Sequence, residues 1–195
     1  MITHLKGNID EISPAHVVVD CGGVGYFAHI SLNTYSRLKE SKNAVVFTQH
    51  IVREDTEMLF GFADRTEREM FRLLTGVSGI GPSSARMILS AMTPEEVQRS
   101  ISHGDVRAFK SVKGIGEKSA QRIIVDLRDK AGSLQPDLTP APAGSAGAVK
   151  AETLAALIAL GFARPQAEKA VDKALADAQN AESTEKLLKI ALKFL

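Results

Sequence analysis

The chain has 195 residues, 44% of them apolar and 24% charged, with 24 lysines and arginines against 23 acids for a formal net charge of +1. Such a composition is ordinary for folded protein and excludes a disordered polyelectrolyte or a chain that coats nucleic acid by bulk positive charge. Tryptophan is absent and aromatics make up 5%, which argues against a surface that binds bases by stacking.

Five short strands are expected in the first third, at about 2–12, 15–21, 25–31, 44–52 and 57–62. The β-branched run Val17-Val18-Val19, the segment Ala44-Val45-Val46-Phe47 and the pair Ile51-Val52 carry this reading. Gly22-Gly23-Val24-Gly25 is a turn between two of the strands, and Leu32–Leu38 is a short helical excursion. Five strands in about 60 residues fit a small closed barrel of the oligonucleotide-binding (OB) type over residues 1–63.

Residues 64–131 read as helices. Met70, Phe71, Leu73 and Leu74 supply an apolar face after Arg65, and Thr93-Pro94-Glu95-Glu96 has a cap, a first-turn proline and acids where a helix begins. Ile123, Ile124 and Leu127 share one face of a helix over 118–130. Residues 132–149 hold Pro136, Pro140 and Pro142 with glycine, alanine and serine, and Asp137 is their one charge; they read as a flexible linker. Residues 150–195 read as a three-helix bundle, a size that suits a docking module. The expected class is therefore α+β and multi-domain: a barrel, a central all-α domain and a C-terminal bundle.

The central domain contains a repeat. Val77-Ser78-Gly79-Ile80-Gly81-Pro82-Ser83-Ser84-Ala85 recurs 35 positions later as Val112-Lys113-Gly114-Ile115-Gly116-Glu117-Lys118-Ser119-Ala120. Paired glycines let the chain turn sharply and leave no Cβ in the way of an approaching group. Ile80 and Ile115 are expected to anchor each bend, and Ala85 and Ala120 to let helices cross closely. Each bend feeds a helix whose first N–H groups are unpaired and carry partial positive charge, a combination that binds anions. From Arg107 to Lys130 seven basic residues face three acids, whereas residues 1–63 hold five basic and seven acidic. Phosphate is the anion expected, with backbone affinity that falls with salt and ignores sequence.

These repeats resemble the helix-hairpin-helix element of DNA repair and recombination proteins. Together with Gly7, Cys21-Gly22-Gly23-Val24-Gly25-Tyr26, Val52-Arg53-Glu54-Asp55, Leu59-Phe60-Gly61-Phe62 and Leu160-Gly161-Phe162, their order along the whole chain resembles the RuvA family. That resemblance implies an OB-fold domain that forms a homotetramer, a tandem helix-hairpin-helix domain that binds DNA, and a UBA-like bundle that binds the hexameric ATPase RuvB. The implied ligand is a Holliday junction, held open on one tetramer or between two, with the RuvC resolvase as a further partner. Glu54 and Asp55 would form an acidic pin facing the crossover, where like charge repels phosphates strongly at short range. Arg53 beside them could support pairing or contact DNA. The implied DNA-binding residues are Gly79, Ile80, Gly81, Ser83, Ser84, Lys113, Gly114, Ile115, Gly116, Lys118, Ser119 and Arg122. Two positions depart from the family, which often has basic residues where this chain has Ser83 and Glu117. Glu117 is expected to face the region where a phosphate should sit, unless its side chain turns away toward Lys113 or Arg122. Leu188 or Leu192 could meet RuvB.

No catalytic group is expected. His4, His16, His29, His50 and His103 are scattered and, with one cysteine, give no metal-ligand spacing. Gly76–Gly81 has the outer spacing of an ATPase phosphate loop, yet Pro82 and Ser83 stand where lysine and a hydroxyl residue are required. No cofactor is expected, and ATP hydrolysis is assigned to the partner. Cys21 reads as a packed strand thiol in a reducing compartment. With no apolar run near the ~20 residues of a membrane span and no signal peptide, a cytoplasmic protein is expected. The rivals are a hairpin-type DNA glycosylase, for which Asp126 is the nearest candidate acid, and a pure interaction scaffold.

Overall fold

Val17 and Val19 are fully buried while the residues on either side are only partly so, the period-two alternation of a half-buried strand. In the computed structural model, which describes residues 1–131, 146–177 and 183–195, five such strands close into a barrel. They are β1 (His4–Ile12), β2 (His16–Asp20), β3 (Gly25–Ile30), β4 (Asn43–Val52) and β5 (Glu57–Phe62), in the order β1-β2-β3-β5-β4. All neighbours run antiparallel except β3 and β5, which are parallel. The β1–β2 register shifts between Ile9 and Glu11, a bulge of the kind that bends a strand enough to close a small barrel. Gly7 serves the same closure: a Cβ there would stand 1.8 Å from the Asp20 carbonyl oxygen. Leu5, Val17, Val19, Ala28, Ile30, Val46 and Leu59 fill the interior, and Leu38 joins them from α1 (Leu32–Leu38), which Ser31 caps through the Thr34 amide.

Five helices follow: α2 (Arg65–Thr75), α3 (Pro82–Ala91), α4 (Pro94–His103), α5 (Val106–Lys110) and α6 (Glu117–Ala131). The expected start at Thr93 is a full capping box with Glu96, and α4 stops at Gly104, whose φ of 69° is the left-handed conformation common after a helix. The short α5 was not anticipated in the sequence; Asp105 caps it by accepting from the amides of Arg107 and Ala108.

The barrel and these helices form a single unit, Met1–Asp137, and share a core: Phe60 and Phe62 of β5 pack with Phe71, Leu74, Ile88, Ile123 and Leu127. Phe71 lies 5.0 Å, centroid to centroid, from both Phe60 and Phe62. Polar bonds fix α3 on the barrel side: the Asn33 side-chain amide donates to the carbonyls of Leu89 (2.6 Å) and Met92 (3.0 Å), the Leu32 amide to Ser90 Oγ, and Arg86 to the Ala15 carbonyl.

The second unit, Leu138–Leu195, contains α7 (Ala146–Ala159), α8 (Arg164–Asp177), α9 (Thr184–Ala191) and a closing 3-10 turn (Leu192–Phe194). Val149, Leu157, Ala167, Ala170, Val171, Ala174, Leu187 and Ala191 form its core, and the four alanines let the helices approach closely. Helix α7 begins at Ala146, inside the stretch read as linker, because Val149 is buried in this core and so extends the helix toward its N-terminus. The rest of that stretch, 132–145, lies outside the described residues.

Glu67 is the one buried acid among the described residues, 2% exposed. It accepts from the hydroxyls of Ser31 and Thr34, the latter at 2.6 Å, and so ties α2 to the cap of α1. Burial raises its pKa against the opposing effect of those two hydrogen bonds. The folded protein thus holds this proton more tightly than the unfolded chain. Its stabilising contribution is complete below the ordinary carboxylate range and is lost as pH rises through the raised folded value. Glu67→Ala should cost about 2 kcal/mol by stranding two hydroxyls. Denaturant melts of wild type and Glu67→Gln across this pH range should show wild type gaining relative stability on acidification.

Candidate nucleic-acid interface

Both glycine repeats fold as matched bends between helices. In the first, the Ile80 amide donates to the Val77 carbonyl at 3.0 Å and the Ala85 amide to that of Gly81 at 3.0 Å; in the second, Ile115 to Val112 at 3.1 Å and Ala120 to Gly116 at 2.9 Å. Gly79 and Gly114 take φ of +88° and +90°, a region that side chains disfavour. The flanking apolar residues Val77, Ile80 and Ala85 are buried, as are Val112, Ile115 and Ala120, so each bend hangs from the shared core. Ile80 and Ile115 therefore act as anchors, and the groups they present outward are backbone.

Gly79, Gly81, Gly114 and Gly116 all lie at the surface. Gly81 caps α3 with φ of −80°, an angle any residue adopts, and contributes no side-chain cap. Among the described residues no acceptor serves the amides of Gly81, Ser83 and Ser84, or those of Gly116, Lys118 and Ser119. A Cβ built on Gly81, Gly114 or Gly116 would meet nothing within 4 Å, and one on Gly79 only the Arg122 guanidinium at 4.0 Å. The protein itself thus leaves room for side chains at 81 and 116.

The side chains around these bends divide. Ser83, Lys113 and Lys118 are exposed, and Ser84 and Ser119 are half-buried. Arg122, on the second turn of α6, reaches across to the first bend and donates to the Ser78 carbonyl (3.1 Å) and hydroxyl (3.2 Å). Glu117 pairs with neither Lys113 nor Arg122, the two partners the sequence offers for it, but with Lys110 of α5 at 3.0 Å. That partner lies seven residues back, across the bend, and no helical periodicity announces it. The pair removes one cation from the local basic excess. The Ser78 and Lys110 roles were both missed in the sequence because each depends on the folded bend.

Glu54 and Asp55 are exposed at the tip of the β4–β5 hairpin, which the Arg53 amide closes by donating to the Thr56 carbonyl at 2.8 Å. The histidines occupy separate settings. His16 bonds Glu11 and Ser13, His50 bonds Glu57, and His29 lies between Phe27 and Phe60. Burial, with the positive fields of Arg86 and His16, lowers the His29 pKa. No group of three or more histidine, cysteine or acidic side chains among the described residues could hold a metal ion. No described helix is long and apolar enough to cross a membrane. Asp126 lines a cleft with Arg72, Leu73, Gly76, Val77 and Leu127.

The two glycines of each bend are distinguishable by substitution. Gly79→Ala or Gly114→Ala should destabilise the fold by about 1–2 kcal/mol through the left-handed backbone. Gly81→Ala should leave the melting curve within about 0.5 kcal/mol of wild type, the range for an unconstrained surface site.

Comparison with known families agrees with this architecture. Residues 1–61 match the RuvA N terminal domain, residues 71–129 the SAM-like helix-hairpin-helix tandem, and residues 148–195 the RuvA C-terminal domain. Relatives called Holliday junction branch migration complex subunit RuvA include one from Christiangramia forsetii, 46% identical with all of both chains covered. Others come from Bacteroides thetaiotaomicron, at 46% and again over all of both chains, and from Azobacteroides pseudotrichonymphae, at 38% over the same share. With three domain models matched in order and full-length relatives at this identity, the chain belongs to the RuvA family.

Proposed function

We propose that this chain is the DNA-binding subunit of a branch migration complex, gripping four-way junctions by their phosphates and presenting them to an ATPase partner. The observation that carries the reading is the pair of matched surface bends whose following amides find no acceptor among the described residues. At Gly81 and Gly116 neither backbone angle nor protein packing demands glycine, so the demand comes from a ligand that lies against the backbone. A phosphate fits that demand: it accepts several N–H bonds at once and is favoured by the positive end of a helix. Two cradles on one rigid core grip two backbone stretches of one duplex arm. Lys113, Lys118 and the hydroxyls of Ser83, Ser84 and Ser119 supplement the amides.

Four copies, meeting through their barrels, would present four such pairs to the four arms of an open junction. Glu54 and Asp55 would then gather near the centre and repel the crossing strands outward. The C-terminal unit would dock the RuvB motor, which supplies the ATP hydrolysis this chain is not assigned. The names borne by the relatives support a subunit role of this kind.

Gly81→Asp with Gly116→Asp places a carboxylate in each cradle. The double variant should lose at least about a hundredfold in affinity for a synthetic four-way junction, roughly the scale of several charge-assisted bonds. Its melting curve should be close to wild type; retained binding with an intact fold would refute the reading. Glu117→Gln should release Lys110 toward the DNA, tighten junction binding and steepen the log–log dependence on KCl by about 0.9, the effect of one added phosphate contact. Light scattering should give a tetramer, alone or paired on the junction.

A further inference from the structure

We propose that Arg122 is a positioning residue that braces the first bend from the second repeat, and does not itself grip phosphate. The inference rests on the phosphate-cradle reading above and assigns this side chain a different task within it. Its guanidinium spends one nitrogen, Nη1, on both oxygens of Ser78, the residue immediately before the left-handed Gly79. The same nitrogen is the one atom that a Cβ on Gly79 would meet. Arg122 therefore lies along the outside of the first bend, although it belongs to the helix that the second bend opens.

The repeat makes the arrangement informative. Shifting by 35 positions turns Arg122 into Met87 and Ser78 into Lys113, a pair without a guanidinium donor or a hydroxyl. The brace thus runs one way only, from the second repeat to the first. The first repeat is also the one with no cation at its helix start, since Ser83 stands where the second has Lys118. Its hold on phosphate depends wholly on amides and hydroxyls, and hydrogen bonds of that kind weaken steeply when their angles drift. Fixing the Ser78 carbonyl fixes the peptide plane that leads into Gly79, and with it the aim of the amides that follow. The fixed span between the two bends also sets which phosphates are engaged together, since preorganised groups lose less on binding.

Amide hydrogen exchange on the full chain without DNA reads the brace directly. In Arg122→Gln the Ile80 amide should exchange roughly five-fold faster, the worth of one ordinary hydrogen bond, while Ile115 keeps its wild-type rate. Ser78→Ala, which removes only the hydroxyl acceptor, should move Ile80 the same way by less. Equal rates in wild type and Arg122→Gln would overturn the proposal. Titration of a synthetic four-way junction against KCl supplies the second arm. Arg122→Gln should bind several-fold more weakly with its log–log slope kept, whereas Lys118→Gln should lose about one from the slope. A slope shallower by about one in Arg122→Gln would make Arg122 a direct phosphate contact and overturn the brace. Retained binding by the double aspartate variant would instead defeat the interface reading, and the exchange rates, measured without DNA, would still decide the brace.

Discussion

The first turn of a helix has N–H groups with nothing inside the helix to accept them, and both glycine bends lead into such a turn. Five of the described helices resolve that with a side chain. Ser31, Asp64, Thr93, Asp105 and Ser183 each accept from the turn they precede. At α3 the cap is Gly81, which has no side chain to offer, and the same residue type stands before α6 at Gly116. Where five other helix starts carry an acceptor, these two are left open to one from outside.

Holding two such openings in a common frame requires a stiff support. The buried valines and isoleucines of each bend supply it locally, and the core they enter is continuous with the barrel wall through Phe60, Phe62 and Phe71. Asn33, Arg86 and Ser90 tie α3 to the barrel side, and Glu67 ties α2 to the cap of α1. An assembly built on the barrels would thereby carry the cradles with it, which is what simultaneous binding of several DNA arms requires. The Glu67 carboxylate is a costly way to make this joint, since burial opposes its charge. Its two hydroxyl donors offset part of that cost and hold it in one geometry.

Much of this could be read along the chain because the determining interactions are local. Each of the five strands starts and ends within two residues of its expected place, since alternation and turn glycines lie in contiguous sequence. The paired bends were legible from Gly79 and Gly114, whose positive φ demands glycine, and from the recurrence of Gly81 as Gly116 in the repeat. Three features escaped. Helix α5 is five residues long, too short for a periodic signature, and Asp105 was its one marker. The Lys110–Glu117 pair and the Arg122–Ser78 bonds join residues that only the folded bends bring together. The start of α7 at Ala146 was obscured by a run of small residues whose helicity is decided by the burial of Val149.

The most direct test follows the backbone amides themselves. Isotope-labelled full-length protein, titrated with a short duplex or a four-way junction, should show its largest amide shift changes at Gly79, Gly81, Gly114 and Gly116 and in the first turns of α3 and α6. Those changes should reverse as KCl is raised, because phosphate contacts release counterions. Saturating DNA that leaves these amides unmoved while shifting another surface would contradict the account.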